Sequence, residues 1–490
     1  MRSKVVFVLL LVMLGALAAG IVLRQPAPQL LDVAVPPGSA FSADTQPEPA
    51  APSSSIAASA SAPRTHPPLL DRPLRVACLG WDLAAPGILA NDGLQPGKDS
   101  RFRKHNLDVF VAPLDSWTAV EAALARGGSD EQGADVAVLP FPTYVAAYER
   151  LRALQPRVFF VVGWSRGRET LYAASPLLTK PTTTDVHVVG DRGSTAMFLG
   201  LYALDAAAVP LDRIRLLDKT DSGKKPSLYA VSRDAPGPSP DAQAGRLLLT
   251  TADVPRLVPF VAVAQEGTIR EHTDALVVWA REWLEGERRI RDDAAASSRT
   301  ISKYPKAPEP LVLVSQLGPV GWASLADNAR WAGLAGRGAA TLAAMFNETW
   351  RIWRGVGELT TPLPEEQCVA PQVIAALVRS MGNGQTEEPR SGEGTEPKRS
   401  EQTHVLIARR YETPQVDDPR LMADLGLLAA LFERSRLRVG VRGRGGLDHE
   451  RTEQIIEATA RRFGIDVARL PKATGVPPGA SAIVEIDSVP

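Results

Sequence analysis

The chain has 490 residues, more than one ordinary domain needs, and its 55 Lys and Arg balance its 55 Asp and Glu to a net charge of zero. A neutral chain lacks the surplus of cations that displaces counterions from phosphates, so we expect no nucleic-acid partner. Two cysteines and six histidines exclude a disulfide framework and leave little material for a metal cluster, so we expect no metal and no cofactor.

The amino terminus has the pattern of an export signal. Arg2 and Lys4 precede an apolar run from Val5 to Leu23. A run of about 19 apolar residues approaches the length of a membrane-spanning helix, so residues 1–23 are predicted to form a signal anchor. A signal peptide cleaved near Ala16-Leu17-Ala18 is the open alternative. Either segment sends the body of the protein out of the cytoplasm.

Two low-complexity stretches divide the chain. Residues 24–73 are dominated by Pro, Ala and Ser, and residues 382–402 contain almost nothing apolar. Such stretches cannot bury enough apolar surface to offset their ordering entropy, so both are predicted to be linkers. They separate a main body, 74–381, from a small C-terminal domain, 403–490. A Pro/Gly patch from Gly223 to Gly245 is expected to be a surface insertion.

The main body alternates strand and helix patterns. Strands are predicted at Leu74–Leu79, Leu107–Ala112, Ala134–Leu139, Val158–Val162 and Val186–Val189, with helices at Thr118–Ala125, Thr143–Leu154 and from about Thr195. This alternation favours an α/β fold with parallel sheets. After Asp274 the pattern is mostly helical, and its tryptophans are predicted to pack in the core.

Ligands of open α/β sheets bind beyond the carboxyl ends of the strands, so the loops that leave the strands are the candidate sites. The polar or amphipathic residues in these loops are Trp81, Asp82, Thr143, Ser165 and Asp253. Three of them also have an ordinary structural role open to them. Asp82 and Thr143 could cap the following helices, and Asp253 could serve its own turn.

The segment from Gly190 to Thr195 is the most informative loop, because it joins a strand to a helix. Ser194 is a good N-cap, and Met197 three residues later is not Glu or Gln, so no capping box covers the first turn. The free N–H groups and the helix dipole favour an anion there. An ordinary Ser-capped helix is the alternative. The spacing does not fit a nucleotide phosphate loop.

The sequence contains no recognisable catalytic motif. The chain has no G-x-S-x-G elbow and no H-E-x-x-H helix, and Cys78 lies within a hydrophobic strand where a thiol is usually inert. We therefore predict that the protein is not an enzyme.

The main body resembles periplasmic solute-binding proteins of the nitrate/sulfonate/taurine type. The matching segments are LRVACLGWDLAAPGILAN (74–91), ADVAVLPFPTYVAA (134–147), VVGDRGSTAMFLGLYAL (188–204), TTADVPRLVPFVAV (250–263) and HTDALVVWAREWLEGERRI (272–290). The resemblance implies a two-lobed, hinged α/β fold in the periplasm, with lobe two at about 166–258. It also implies a small anionic ligand between the lobes and an ABC permease as partner. The ligand contacts that it implies are Trp81, Asp82, Thr143, Ser165, Ser194, Thr195 and Asp253.

The C-terminal domain, with LDHERTEQIIEATARRFGIDVARL (447–470), resembles the peptidoglycan-binding OmpA-like domain. Arg451 falls where that family holds its ligand-binding arginine, which implies peptidoglycan or another envelope component as a partner. The turn before the helix reads Gly443-Arg444-Gly445-Gly446 in place of the aspartate of that family. Residues 434–451 contain six arginines and two acids, a pattern that fits an acidic partner or a solvated surface.

Three functions follow as hypotheses. The first is an exported protein that captures a small anion between two lobes for an ABC transporter or sensor. The second is a membrane-tethered envelope scaffold that has lost the ligand. The third is an enzyme on the same fold, such as a pyrimidine-synthesising relative, which would need a His/Cys cluster that the sequence does not present.

Overall fold

The computed structural model describes residues 67–488 except for 183, 218–225, 233–244, 367, 382–403 and 413–417. The predicted signal segment, most of the tether at 24–73 and the linker at 382–402 lie outside the described residues. Among the helices in these described ranges, none combines the length and apolar character needed to cross a membrane.

A six-stranded sheet forms the centre of the first lobe, with the strand order β11-β4-β10-β3-β1-β2. Its strands are β1 (Leu74–Leu79), β2 (Val109–Leu114), β3 (Val136–Pro140), β4 (Pro156–Ser165), β10 (Pro259–Gln265) and β11 (Val320–Trp322). β1 pairs in parallel with β2 and β3, whereas β10 runs antiparallel to β3 and β4. The sheet is therefore mixed.

Helices cover both faces of the first sheet, because its side chains alternate between two cores. Val76 and Cys78 of β1 belong to one core, and Ala77 between them belongs to the other. The helices of the Val76 face are α1 (Trp81–Asn91), α2 (Arg101–Lys104), α6 (Glu266–Glu271), α7 (Thr273–Asp292), α8 (Ala294–Ile301), α9 (Pro310–Leu317) and α12 (Gln372–Met381). Those of the Ala77 face include α3 (Trp117–Arg126), α4 (Phe141–Leu151) and α11 (Leu342–Gly355). A short helix, α10 (Leu325–Trp331), follows β11.

One glycine permits the close packing of α7 on α1. A Cβ atom at Gly286 would lie 2.1 Å from the backbone oxygen of Pro86, a distance that no real methyl group tolerates. Only glycine can therefore stand at this helix crossing. The neighbouring Trp279 and Trp283 are fully buried, as the sequence predicted for the tryptophans of this region.

The second lobe contains a five-stranded sheet with the order β7-β6-β8-β5-β9. Its elements are β5 (Glu169–Ala173), β6 (Val186–Val189), α5 (Thr195–Ala206), β7 (Ile214–Leu217), β8 (Leu228–Ser232) and β9 (Arg246–Thr250). β8 is a central strand, so the prediction of a mere surface insertion at 223–245 was wrong for residues 228–232. Its Leu and Ala side chains are buried, and the flanking prolines and glycines hid this short apolar pattern.

The chain crosses between the two sheets twice. The first crossover joins β4 to β5 over residues 165–169, and the second joins β9 to β10 over residues 250–259. The predicted α/β architecture with two lobes is confirmed. The predicted parallel pairing is found between β1 and its neighbours β2 and β3, and between β6 and its neighbours β7 and β8. The first sheet is mixed rather than parallel throughout, because the second crossover returns the chain to the carboxyl ends of β3 and β4. β10 must therefore run antiparallel to both strands.

Element boundaries in the first lobe differ in two informative places. β2 begins at Val109 rather than Leu107 because its parallel register matches Leu74 with Val109 and Leu79 with Leu114. α4 begins at Phe141 and accommodates Pro142 in its first turn, where a proline loses no hydrogen bond. Thr143 therefore lies inside the helix, and the prediction that it caps the helix was wrong.

The C-terminal segment, residues 404–412 and 418–488, contains an antiparallel sheet with the order β12-β15-β13-β14. Its elements are β12 (Val405–Glu412), α13 (Asp418–Leu431), β13 (Leu437–Gly443), β14 (Gly446–Leu447), α14 (His449–Phe463) and β15 (Ala480–Asp487). The predicted burial of Leu437, Val439 and Val441 on one face of a strand is confirmed. α14 begins at His449, and the side chain of Asp448 caps it by accepting a hydrogen bond from the Arg451 N–H.

Three arginines of the basic stretch at 434–451 are engaged within the C-terminal segment. Arg438 forms an ion pair with Asp487, Arg442 donates to the Ala480 carbonyl, and Arg451 forms an exposed ion pair with Asp418. These contacts engage three of the six arginines of the stretch, and the Arg451 side chain stays exposed.

Candidate functional site

A cluster of polar side chains lies at the two crossovers. Ser165 ends β4, Glu169 begins β5, and Thr251 follows β9, so the two crossovers bring these residues together. All three are at most 2% exposed. Thr195, the first residue of α5, reaches the same point from the second lobe and is half-buried.

Glu169 is the centre of this cluster, because its carboxylate accepts hydrogen bonds from three hydroxyl groups. The Thr195 hydroxyl donates to Oε1 at 2.7 Å, and the Thr251 hydroxyl donates to Oε2 at 3.0 Å. The Ser165 hydroxyl also donates to Oε2. A buried carboxylate needs such donors, since an unpaired buried charge is costly.

The backbone orients the Thr251 hydroxyl. The N–H of Gly167 donates to Thr251 Oγ1 at 2.8 Å, which leaves the single proton of that hydroxyl to point at Glu169. The hydroxyl groups of Ser165 and Thr251 lie 3.1 Å apart. The cluster is therefore arranged as a set of donors for one planar oxyanion.

A buried ion pair lies next to the cluster. Arg168, which precedes Glu169, forms an ion pair with Asp82 in the first turn of α1, and it donates to the Gln316 carbonyl at 3.2 Å. The guanidinium carbon lies 5.4 Å from the ring centroid of Phe260. The negative charge of Asp82 is favourable at the positive end of a helix. This pair joins the first crossover to the first lobe.

The entry of α5 matches the sequence prediction at Ser194. Its hydroxyl caps the helix by accepting a hydrogen bond from the Met197 N–H at 3.2 Å. Met197 cannot return a side-chain acceptor, so the capping box is open. Ser194 and Thr195 are both half-buried.

The structure brings some of the predicted ligand residues together and gives others contacts elsewhere. Ser165 and Thr195 meet on Glu169, and Asp82 pairs with the adjacent Arg168. Asp253 serves its own turn, because it accepts from the Thr250 N–H at 2.8 Å. A ligand role for any of these residues stays a prediction.

Two further predicted residues lie in packed surroundings. Trp81 packs against the core on the Val76 face of the first sheet, and Thr143 is 7% exposed on α4. Among the described residues, the side-chain donors to the Glu169 carboxylate are Ser165, Thr195 and Thr251, and neither Trp81 nor Thr143 is one of them. Their ligand roles also stay predictions.

Sequence reasoning missed Arg168 and Glu169. A signal was present, because Arg166-Gly167-Arg168-Glu169 is a charged run between two strongly apolar strands. Charged residues at such a position must find partners on folding.

Both cysteines are buried, in keeping with the packing role predicted for Cys78. Burial raises the pKa of the Cys78 thiol well above its ordinary value. Burial is also the main cause that raises the pKa of Cys368, to about 11. Within the described ranges, no group of three or more His, Cys, Asp or Glu side chains could hold a metal ion.

Two surface cavities lie apart from the cluster. One, of 430 Å³, is lined by residues of β1, β2 and α3 that include Arg75 and Phe110. The other, of 600 Å³, is lined by Leu211 and by α11 residues that include Trp350. Neither lining contains a predicted ligand residue.

No family model and no curated protein sequence matches the chain. Solved structures are similar at low identity. The ligand-binding component of an ABC-type import system from Staphylococcus aureus, solved with zinc bound, has a TM-score of 0.42 and 12% identity over 63% of this chain and 99% of that chain. The periplasmic aliphatic sulphonate binding protein SsuA from Escherichia coli has a TM-score of 0.38 and 16% identity over 60% of this chain and 94% of that chain.

The periplasmic nitrate-binding protein NrtA from Synechocystis PCC 6803 has a TM-score of 0.40 and 13% identity over 62% of this chain and 85% of that chain. Similarity at this level identifies neither a ligand nor a transport partner for the present chain.

Proposed function

We propose that the chain is an extracytoplasmic solute-binding protein that captures a small carboxylate or similar oxyanion between its two lobes. The site would consist of the hydroxyl groups of Ser165, Thr195 and Thr251. The observation that carries this proposal is their convergence, from both crossovers and from the entry of α5, on one carboxylate. Donors that hold the Glu169 carboxylate have the chemistry to hold a free one.

The half-buried entry of α5 supports access for such a ligand. Thr195 is the member of the cluster that solvent reaches, and the positive end of α5 lies beside it. An incoming anion would exchange with the Glu169 carboxylate, which then turns toward solvent. Binding would use hydrogen bonds alone, with no covalent step. The delivery partner would be an ABC permease or a sensor.

The proposal is tested by thermal unfolding of the full chain with acetate, nitrate, bicarbonate, ethanesulfonate and taurine. A bound anion at a hundredfold excess over its Kd stabilises the folded state by about 2.7 kcal/mol. The paired change Ser165→Ala and Thr195→Val should abolish the effect. Asp212→Asn is a matched control on the same lobe, outside the cluster. A stabilisation that survives the paired change would place the ligand elsewhere.

A second candidate is a membrane-tethered envelope scaffold without a ligand. The observation that favours it is the same carboxylate, because Glu169 already satisfies the three hydroxyl groups. In that case no anion stabilises the wild-type chain. The panel of anions therefore separates the two candidates.

The proposal extends to the ends of the chain. Residues 1–23 would anchor the protein to the inner membrane, and residues 24–73 would link this anchor to the body at 74–381, in which lobe two spans 166–258. Residues 382–402 would link the body to an OmpA-like domain at 403–490. The sheet order β12-β15-β13-β14 with two helices, and the exposed side chain of Arg451, support a contact with peptidoglycan. Co-sedimentation of the full chain with purified peptidoglycan tests that contact. We expect the Arg451→Ala variant to remain in the supernatant.

A further inference from the structure

The two crossovers each present an arginine to the same carboxylate of the C-terminal segment. Arg256, on the second crossover, places Nε 2.8 Å from Glu433 Oε2. Arg166, on the first crossover, places Nη2 3.6 Å from Glu433 Oε1. Glu433 lies more than 260 residues from Arg166 along the chain, so this contact ties a distant segment to both connections between the lobes.

The side chain of Arg256 lies in a largely buried pocket beside Trp164 and Asp327. Its side chain is 9% exposed, and its guanidinium carbon lies 4.0 Å from the ring centroid of the buried Trp164. Nη2 lies 3.3 Å from Asp327 Oδ1, and buried Nη1 has no hydrogen-bond partner among the described residues. The guanidinium of Arg256 therefore stacks on an aromatic ring and keeps one N–H group without an acceptor. Such a planar cation binds a carboxylate well.

Arg166 needs the same carboxylate for an electrostatic reason. It packs against Gly321 of β11, where a Cβ atom would lie 2.4 Å from its Nε. Burial and the neighbouring Arg256 lower the pKa of Arg166, while the charge of Glu433 acts in the opposite direction. A buried cation, Arg256, beside a half-buried one, Arg166, is costly unless an anion lies near both.

The position of Glu433 is fixed by the loop that carries it. Glu433 follows α13, and Arg469 donates hydrogen bonds to the backbone oxygens of Ala429, Phe432 and Ser435 around it. Phe432 is fully buried. These hydrogen bonds fix the backbone around Glu433 to the rest of the C-terminal segment.

We propose that Arg166, Arg256 and the face of Trp164 form a carboxylate site on the two crossovers, and that Glu433 is its built-in ligand. Relative rotation of the lobes must bend both crossovers, so a carboxylate that bridges them restrains that rotation. The C-terminal segment thereby controls the opening of the lobes. This inference holds whether or not the Glu169 cluster takes an external ligand.

The test is hydrogen exchange of the full chain in Glu433→Gln, which keeps the shape of the side chain and removes its charge. Amides of residues 165–168 and 251–258 should exchange at least about tenfold faster than in wild type. Arg256→Gln should give the same pattern, and the double variant should add little. Glu457→Gln, an exposed position on α14, is the matched control and should change neither crossover.

Acetate provides a second readout that does not depend on the Gln variant. In Glu433→Ala the pocket is vacant. Added acetate should restore the protection of both crossovers in this variant, and also when Thr195→Val is added to remove a donor of the Glu169 cluster. Unchanged exchange of the crossovers in Glu433→Gln would overturn the proposal. A uniform increase across all three sheets would also overturn it, because Glu433 would then be a general stabilising residue.

Discussion

The hydroxyl group of Thr195 donates a 2.7 Å hydrogen bond to the carboxylate of Glu169, across the boundary between α5 and β5. Thr195 was predicted to bind an external anion at the entry of a helix. The structure shows that this entry already meets an anion, and that the anion belongs to the protein itself. The Thr195 hydroxyl therefore binds an internal carboxylate in this structure, and its role toward an external anion stays a prediction.

The first prediction concerns the Glu169 carboxylate as a structural group. Glu169→Gln removes the charge that three hydroxyl groups bind, so we expect a loss of about 1–3 kcal/mol in the free energy of unfolding. Urea denaturation of the full chain measures this loss. Glu131→Gln, at an exposed position, is the control and should change the free energy by less than about 0.5 kcal/mol. Equal stabilities of wild type and Glu169→Gln would contradict the account.

The second prediction concerns the ion pair between Asp82 and Arg168. Their side chains are 8% and 11% exposed, so removing one partner leaves a buried charge. Asp82→Asn should cost about 3–5 kcal/mol, and the double variant with Arg168→Gln should cost less than the sum of the single changes. Asp292→Asn, in an exposed pair with Arg288, should cost less than about 1 kcal/mol. Strict additivity of the Asp82 and Arg168 changes would show that the two residues do not interact.

The third prediction concerns Glu287, which is fully buried in α7 and whose carboxyl oxygens have no hydrogen-bond partner among the described residues. Burial raises its pKa well above the ordinary value of 4.5, although Arg291 acts in the opposite direction. The stability that protonated Glu287 contributes is therefore complete below pH 4.5 and is lost as the pH rises toward the folded-state pKa.

Glu287→Gln removes this dependence. Its advantage over wild type in the free energy of unfolding should grow with pH by at most about 1.4 kcal/mol per pH unit. Urea denaturation at about pH 5 and about pH 7 measures the difference. Glu271→Gln, at an exposed position near the start of α7, should show no such trend. An advantage that is the same at both pH values would refute the buried, protonated state.

The fourth prediction concerns the thiols of Cys78 and Cys368. Both are buried with raised pKa values, so the native chain should contain no thiol that reacts rapidly with Ellman's reagent at about pH 8. The same chain in urea should release two equivalents, which serves as the control. A native thiol that reacts as fast as free cysteine would contradict the buried placement.

The architecture of the main body could be predicted because its signals are local. The apolar strand Val186–Val189 and the Ser194-capped helix that follows are found where their residue patterns placed them. The antiparallel insertion of β10 could not be predicted, since it depends on where the second crossover returns to the sheet. β8 was missed because five residues of strand lie within a proline- and glycine-rich stretch.

The site was only partly predictable for a related reason. Loop position pointed to Ser165 and Thr195, but convergence on Glu169 depends on the two crossovers lying side by side, which is a long-range feature. Asp253 has an equally good local role, and only the structure shows that it serves its turn. The contact of Glu433 with Arg256 joins residues far apart in sequence, and no pattern in the chain indicates it.

The affinity of the Glu169 cluster for a free carboxylate is the most direct test of the account. Calorimetric titration with acetate should show tighter binding to Glu169→Ala than to the wild-type chain by at least about tenfold, or 1.4 kcal/mol, because the competing internal carboxylate is gone. Adding Thr195→Val to Glu169→Ala should abolish that gain. Equal acetate affinities in wild type and Glu169→Ala, or no acetate binding by either, would contradict the proposal that these hydroxyl groups form an anion site.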